Sequence, residues 1–552
     1  MIREWRTGNL ITIHSSLITF PRHIIPSMQS SATRQIARAA GLVMAAFVVN
    51  SLMGLLRQIL ITRAFGASAD LDAYLAAARL PEIVFNLVAG GALASAFIPT
   101  FTGFLEHKKK SEAWQLASSI ANLLVIILIV VCTLAWIFAP QLVSGILVPD
   151  FSATQQSLTV ELLRIQLITP ILFGVSGLLM GILNAHQSFL VPALAPSMLW
   201  LGIIISVFAF VPSLGIHGLA WGAVLGAGLH LGVQLPALAR VGPRYQPMLG
   251  LHLASVRQVG RLMAPRLLGV AVVQLNFLVN TIVASGMEAG SLTAITVAFS
   301  VMLMPQQAIG QAVAIAALPT FSAQAARGKW DELRSSFVST LRAILLLSIP
   351  ATVGLILLRE PIVALLFQRG EFTPEDTQLV AWALLWFAAG LLGHSVVEIA
   401  SRAFYAQQDT RTPVLVGTGA MGLNVILSLT LPGLFARVGW MPHGGLALAN
   451  SAATFLEMLI LLYIMNKRLH GLEAGRLWLG LVQATLGSLV MGIVIFAWLA
   501  FAGARPNWLL AIGGISLGLL FYGGISWIQK IPELNDFLIS IRKRLKLIGS
   551  NS

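Results

Sequence analysis

Long apolar runs dominate the chain and predict membrane-spanning helices. From about residue 40 onward, fourteen segments of about 20 residues or more are predominantly apolar, enough to cross a hydrocarbon core about 30 Å thick. The predicted spans are 40–65, 77–103, 115–138, 160–184, 190–211, 215–238, 260–285, 291–319, 337–358, 378–402, 413–435, 444–466, 478–502 and 508–529. The pattern therefore predicts an all-α polytopic membrane protein.

Composition agrees with this fold class and excludes several functions. The chain is 57% hydrophobic and only 10% charged, whereas soluble proteins are about a quarter charged. The single cysteine excludes an intrachain disulfide and a cysteine metal cluster. No Walker loop, HExxH or CxxC motif is present, and no loop is long enough for a catalytic domain. We therefore expect a transporter rather than an enzyme, with no metal and no bound cofactor.

The basic residues orient the chain in the membrane. If the N-terminus is cytoplasmic, 25 of the 35 lysines and arginines lie in cytoplasmic segments and five lie in outer loops. This arrangement predicts that both termini are cytoplasmic. It also explains the net charge of +14 without a nucleic-acid partner. The basic C-terminal segment is predicted to be a surface helix against anionic lipid.

Short motifs recur at a constant spacing and indicate an internal repeat. IPTF at 98–101 recurs as LPTF at 318–321, an offset of 220. Phe151–Ser152 recurs as Phe372–Thr373, and Ala185, Gln187 and Pro192 recur as Ala406, Gln408 and Pro413, both at an offset of 221. Because this offset covers six spans, the two halves share one orientation and are parallel repeats about an axis along the membrane normal.

The repeat divides the chain into predicted units. They are a cytoplasmic extension (1–39), an N-terminal six-helix lobe (40–240), a C-terminal six-helix lobe (241–470), two additional helices (471–530) and a basic cytoplasmic tail (531–552). Met28 is an alternative start, and deletion of residues 1–27 is expected to leave insertion intact. Two lobes of this kind enclose a central cleft.

Charged residues cluster at the first two spans, where they are unusual. Six of them lie within 57–82, and on a helix Asp72, Arg79 and Asn86 share one face with Glu82. One interpretation is an interfacial loop with an Arg79–Glu82 pair. The other is the polar wall of a water-filled cavity, because charge within the membrane usually faces a cavity or a partner.

Arginines and amides elsewhere extend this polar surface. Arg57 lies roughly 12 Å from the outer end of its span, and Arg266 lies near the start of the seventh span. Either arginine can snorkel to the surface, or face a cleft where its guanidinium attracts phosphate or pyrophosphate. A polar face continues from Arg266 through Gln274, Asn276 and Asn280, and a polar break in the eighth span follows Pro305 and includes Gln307.

Other polar residues are better explained by structure than by chemistry. Glu371, Glu375 and Asp376 flank Thr373 and Pro374, which is typical of a helix start. His217, His230 and His394 are isolated, so each is expected to be satisfied by a neighbour or to line a cavity rather than to bind a metal.

Four segments resemble the MurJ (MviN) family of lipid II flippases. They are LLRQILITRAFGASADLDAYLAAARLPE, GILNAHQSFLVPALAPSMLWLG, LFQRGEFTPEDT and FYAQQDTRTPV, and the similarity runs from about residue 40 to 470. The family belongs to the multidrug/oligosaccharidyl-lipid/polysaccharide (MOP) exporter superfamily, with fourteen helices in two lobes and a final pair. The resemblance implies that the chain moves lipid II, the undecaprenyl-pyrophosphate-linked peptidoglycan precursor, across the inner membrane by alternating access driven by an ion gradient or membrane potential.

The resemblance also assigns residues. Arg57 and Asp72 match family positions, and Arg79 falls where the family often has a lysine or arginine. Phe85, Asn86, Ser300 and Ser51 stand where many members have arginines. The predicted substrate-binding residues are Arg57, Asp72, Arg79, Glu82, Asn86, Arg266, Gln274, Asn280 and Gln307.

Three other functions remain as alternatives. An exporter of another polyprenyl-linked glycan or of an amphipathic small molecule would share the cleft. A membrane glycosyltransferase would need large outer loops with catalytic carboxylates, and the outer loops here are short. A scaffold for envelope synthesis would tolerate loss of the buried charges.

Overall fold

The structure is a computed structural model that describes residues 26–88, 92–242, 244–503 and 505–531. These residues are almost entirely helical and contain no β-strand. The helices of the first half are α1 (Pro26–Phe65), α2 (Ala69–Val88), α3 (Ala92–Glu106), α4 (Lys110–Ile137), α5 (Ala153–Gln166), α6 (Ile168–Ala185), α7 (Leu190–Ala209) and α8 (Ile216–Gly232).

The second half continues the same architecture. Its helices are α9 (Ala254–Ser285), α10 (Ser291–Gln306), α11 (Ala312–Ala326), α12 (Trp330–Phe367), α13 (Pro374–Ala406), α14 (Arg411–Arg437), α15 (His443–Arg468), α16 (Ala474–Ala502) and α17 (Asn507–Ile528). Shorter helices occupy Ala139–Leu142, Val211–Leu214 and Leu235–Val241, and π-helical turns occupy Val143–Leu147 and Gln307–Gln311.

The prediction of an all-α polytopic membrane protein is confirmed. Within the described residues, twelve continuous helical segments from Lys110 onward are long and apolar enough to cross a membrane. The first two predicted spans coincide with α1 and with the α2–α3 pair, whose junction at 89–91 lies outside the described residues. The full count of fourteen remains a prediction.

Several helix boundaries differ from those predicted. Helix α1 begins at Pro26, so the predicted extension is helical from there onward, and residues 1–25 lie outside the description. Helix α2 begins at Ala69 rather than 77 because the segment predicted as a loop, with Asp70 and Asp72, forms its acidic first turn. The predicted surface helix in the tail also lies outside the described residues.

The loops of the two halves repeat each other in backbone geometry. Gln187 and Gln408 both adopt positive φ, at 59° and 61°. Ser152 caps α5 by accepting a hydrogen bond from the backbone of Gln155, and Thr373 caps α13 in the same way through Asp376. The expectation that Thr373, Pro374 and the nearby acids form a helix start is therefore confirmed. Equivalent turns at an offset of 221 agree with the internal repeat.

Small residues bring the helices of the first half into close contact. Gly202 on α7 faces Gly226 on α8 so closely that a Cβ at position 202 would collide with the α8 backbone. Without a hydrophobic effect between helices in lipid, such close packing is the main force that joins them. The α7–α8 pair thereby forms a rigid wall against which α1 packs.

Asp409 ties two helices together on the predicted cytoplasmic face. Its carboxylate accepts hydrogen bonds from the backbone of Arg411 (3.1 Å) and Thr412 (3.0 Å), and it pairs with Arg468 on α15 at 2.7 Å. The backbone hydrogen bond from Thr412, together with the Thr412 hydroxyl and Arg468, lowers the pKa of Asp409 to about 2, although burial acts in the opposite direction. This aspartate lies in the FYAQQDTRTPV segment, where it stabilises the start of α14.

The lowered pKa predicts a pH-dependent contribution to stability. The Asp409 carboxylate titrates near pH 3.9 in an unfolded chain, so its contribution is complete above that pH and is lost as the pH falls towards 2. Asp409→Asn is expected to lower the thermal unfolding midpoint by a few degrees at pH 7 in detergent, and the deficit should shrink at pH 3. A deficit of equal size at both pH values would contradict this electrostatic role.

The loop positions predict the topology of the chain. Reporter fusions at Lys109, Gly328 and Lys467 are expected to report the cytoplasm, and fusions near Gly370 and Gly503 the outside, because positive charge is retained on the cytoplasmic side. A cytoplasmic signal at Gly370 would contradict both the span count and the parallel repeat.

Candidate substrate-binding cavity

A cavity of about 580 Å³ lies among α1, α2, α5, α6, α7, α8 and α9. Five of the nine predicted site residues line it: Arg57, Arg79, Glu82, Asn86 and Gln274. Two arginines and one glutamate give this lining a net positive charge. The polar stripe predicted on α2 therefore faces a cavity, as the second interpretation proposed.

Arg57 is held at the cavity wall by an aromatic ring. Its guanidinium carbon lies 4.4 Å from the centre of the Trp200 ring, and its Nη2 donates a hydrogen bond to Gln58 at 2.9 Å. Trp200 is itself fixed by donating to Asn50 at 2.9 Å. Within the described residues, no carboxylate lies within ion-pair distance of Arg57, and its Nε is buried without a hydrogen bond. The guanidinium therefore retains donors for an anionic ligand.

Arg79 connects α2 to the second half of the chain. It pairs with Glu82 at 2.9 Å, as the sequence spacing predicted, and its Nε donates to the Thr281 hydroxyl on α9 at 3.2 Å. Its guanidinium also lies 5.5 Å from the centre of the Phe277 ring. Arg79 thus bridges the two halves while it lines the cavity.

A second cavity of about 230 Å³ adjoins the first and shares Arg57 and Trp200 with it. Ser300 on α10 lines this second cavity, and so does Gln307 on the π-helical turn that follows α10. This turn lies at the polar break predicted after Pro305, which confirms that the eighth span is irregular there. Single π turns within helices occur frequently at functional sites.

Asp72 closes the predicted outer face above the cavity. Its carboxylate is almost completely buried and accepts three hydrogen bonds from the start of α10. The donors are the backbone of Gly290 (2.7 Å) and both the backbone (2.7 Å) and hydroxyl (2.6 Å) of Thr293. An anion at a helix N-terminus satisfies free N–H groups and interacts favourably with the helix dipole. Asp72 therefore fastens the first half to the second.

Two glycine turns strengthen the same closure. Gly66 and Gly370 have φ of 62° and 64°, and the loops that contain them meet face to face. The backbone N–H of Glu371 donates to the carbonyl of Arg63 at 3.0 Å. A Cβ at Gly66 would lie 2.6 Å from the Glu371 carbonyl oxygen, so only glycine permits this approach. The predicted outer face is sealed by backbone contacts as well as by Asp72.

The structure corrects two expectations about the predicted site and leaves a third untested. Asp72 was expected to share the cavity wall with Arg79, but it lies two helical turns above Arg79 and caps α10 instead. Asn276 and Asn280 were expected to face the cleft, but they face α14. There Asn276 accepts a hydrogen bond from Asn424, and Asn280 accepts one from Ser428. The Arg266 side chain lies outside the described residues, so its predicted role is untested.

Sequence reasoning missed Trp200, which stacks on Arg57 in the cavity wall. Tryptophan in membrane helices concentrates at the membrane interfaces. Trp200 instead lies in the middle of its span, and this unusual position is the feature of the sequence that could have identified it. His230 lines the large cavity, His217 pairs with Glu161, and His394 bonds Asn450. The expectation that the histidines are satisfied or line a cavity is confirmed.

Comparison with known proteins identifies the family. A family model described as lipid II flippase MurJ matches residues 61–512, most of the chain. The chain belongs to the MurJ family. A lipid II flippase MurJ of Burkholderia cenocepacia is 30% identical over 76% of this chain and 82% of its own length. A probable MurJ of Vibrio cholerae is 28% identical over 89% of this chain and 96% of its own length.

Solved structures place this MurJ-family chain within a broader fold. A lipid II flippase MurJ in an inward closed conformation is 25% identical, covers 88% of this chain and 98% of its own, and superposes with a TM-score of 0.76. An inward-facing MATE transporter of the MOP superfamily is 14% identical to this chain. The match covers 77% of this chain and 96% of the transporter, with a TM-score of 0.64. The second likeness shows a shared fold only.

Proposed function

We propose that the chain is a flippase that moves lipid II from the inner to the outer leaflet of the cytoplasmic membrane. The observation that carries the proposal is the cavity with Arg57 and Arg79 on its wall, lying beneath an outer face that Asp72 closes. A guanidinium without a carboxylate partner suits a pyrophosphate, whose oxygens match its donors. Family membership supports the same substrate.

Alternating access follows from the contacts that join the two halves. In the state described here the predicted outer face is closed, so in this proposal a substrate enters the cavity from the predicted cytoplasmic side. Arg57 attracts the pyrophosphate, while Glu82 balances the charge of Arg79. Opening to the outside requires Asp72 to release the start of α10 and Arg79 to release Thr281. An ion gradient or the membrane potential drives the cycle in this proposal, and no bound cofactor takes part.

The proposal includes the orientation and location of the chain. The excess of lysine and arginine in one set of loops supports an inner-membrane protein with both termini in the cytoplasm. The substrate then meets the cavity where it is synthesised, and the product leaves on the side where the cell wall is assembled.

Rescue of a flippase-depleted cell tests the proposal. Expression of the chain in a host depleted of its own lipid II flippase is expected to restore growth and cell shape. Absence of rescue, with the chain present in the membrane at the level of a rescuing MurJ, would contradict the lipid II assignment. Accumulation of a different polyprenyl-linked glycan in cells that lack this chain would favour the alternative exporter function.

A further inference from the structure

A buried polar cluster lies behind the cavity wall where α6 meets the end of α8. The Ser176 hydroxyl on α6 lies 2.6 Å from Nδ1 of His230 on α8. Gln234 is fully buried, and its amide nitrogen donates to Ser176 and to the His230 carbonyl at 2.9 Å. His230 lines the cavity, and Ser176 and Gln234 support it from behind.

The hydrogen-bond pattern holds the His230 ring from behind. The Gln234 amide cannot be reversed, because its oxygen would then face the His230 carbonyl. Ser176 accepts a hydrogen bond from Gln234 and contacts both Nδ1 of His230, at 2.6 Å, and the His230 carbonyl, at 3.2 Å. Because Nδ1 is engaged by Ser176, Nε2 is the imidazole nitrogen left for a ligand in the cavity, and it donates or accepts according to the tautomer.

The contacts of His230 with the described residues are neutral and partly aromatic. The Phe173 ring lies 5.2 Å from the His230 ring and 4.8 Å from the Phe85 ring, measured between ring centres. On α2, Asn86 follows Phe85 and also lines the cavity. Asn86 lies seven residues beyond Arg79, or roughly 10 Å along the helix. The described lining at this level therefore differs from the cationic region around Arg57 and Arg79.

We propose that His230, Asn86, Phe85 and Phe173 form the subsite for the saccharide of the substrate, separate from the pyrophosphate region. Sugars present hydroxyl and amide groups that donate and accept hydrogen bonds, which suit an imidazole nitrogen and a carboxamide, and apolar faces, which suit aromatic rings. Ser176 and Gln234 are positioning residues that hold the orientation of the His230 ring. The proposal rests on the lipid II function and specifies where its headgroup binds.

Binding of two ligands to the purified full chain tests the subsite. One ligand is lipid II, and the other is undecaprenyl pyrophosphate, which lacks the saccharide. His230→Leu is expected to weaken lipid II binding by about tenfold, the effect of one lost hydrogen bond, and to change undecaprenyl pyrophosphate binding much less. His230→Gln should restore most of the lipid II affinity, because its side-chain amide offers a donor and an acceptor in place of Nε2. Ser176→Ala should give an intermediate loss.

The outcomes separate this subsite from the overall function. His217→Leu is the matched control, because His217 lies at the start of α8 beside Glu161 and should alter neither affinity. Equal loss of both ligands in His230→Leu, or no loss of either, would overturn the saccharide subsite and leave the lipid II function standing. A parent chain that binds neither ligand would overturn the function and the subsite together.

Discussion

Arg57→Ala is expected to abolish rescue of a flippase-depleted cell while the protein still accumulates in the membrane. Arg57 is the cavity arginine without a carboxylate partner among the described residues, so its donors are available to the pyrophosphate. Charge-assisted hydrogen bonds contribute about 1.5–3 kcal/mol each, so the loss of one such bond should weaken binding of the pyrophosphate by roughly ten- to a hundredfold. Growth of the depleted host at matched membrane levels measures the effect.

Two further variants make the Arg57 experiment specific. Arg57→Lys should recover only part of the function, because an ammonium cannot form the bidentate contact or stack on Trp200 in the same way. Arg164→Ala is the matched control, because Arg164 also lies over a tryptophan ring, that of Trp136 at 4.7 Å, but outside the cavity lining. Full rescue by Arg57→Ala would exclude the anion-binding role and favour a scaffold.

Asp72→Asn is expected to shift the chain towards an open outer face. The substitution keeps the size of the side chain but removes the charge that holds the start of α10, and it turns one acceptor into a donor facing an N–H group. Loss of this buried charge-assisted contact is worth about 1.5–3 kcal/mol, enough to change the ratio of open to closed states by ten- to a hundredfold.

Labelling of a cavity residue from outside measures this shift. Cys132 is the single cysteine of the chain and is buried, so Cys132→Ser provides a clean background for Ala78→Cys in the cavity wall. An impermeant maleimide should label this site faster in Asp72→Asn than in the parent. Asp70→Asn, on the exposed side of the same helical turn, is the control. Equal labelling rates in Asp72→Asn and the parent would show that Asp72 does not hold the outer face closed.

The fold and part of the cavity were predictable because their signals are local. Apolar runs predicted the membrane helices, and helical spacing placed Arg79, Glu82 and Asn86 on one face. The same spacing included Asp72, which caps α10 and does not line the cavity. Two turns of helix separate it from Arg79, and at that height its neighbour is the start of α10 rather than the cavity.

Other features depend on which helices become neighbours, which periodicity does not reveal. The polar face of α9 borders both α2 and α14, so Gln274 lines the cavity while Asn276 bonds Asn424. The stacking of Trp200 on Arg57 joins α7 to α1 across a large sequence separation. Pairings of this kind follow from tertiary packing and cannot be read from the pattern of a single helix.

The most direct test is the exposure of lipid II at the outer surface. Cells depleted of their own flippase and expressing this chain are treated with an impermeant hydrolase that cleaves lipid II, and the cleaved fraction is measured. The parent chain is expected to restore cleavage, and Arg57→Ala at an equal membrane level is expected to leave lipid II protected. Cleavage that is no higher with the parent chain than without it, or that is equally high with Arg57→Ala, would contradict the account.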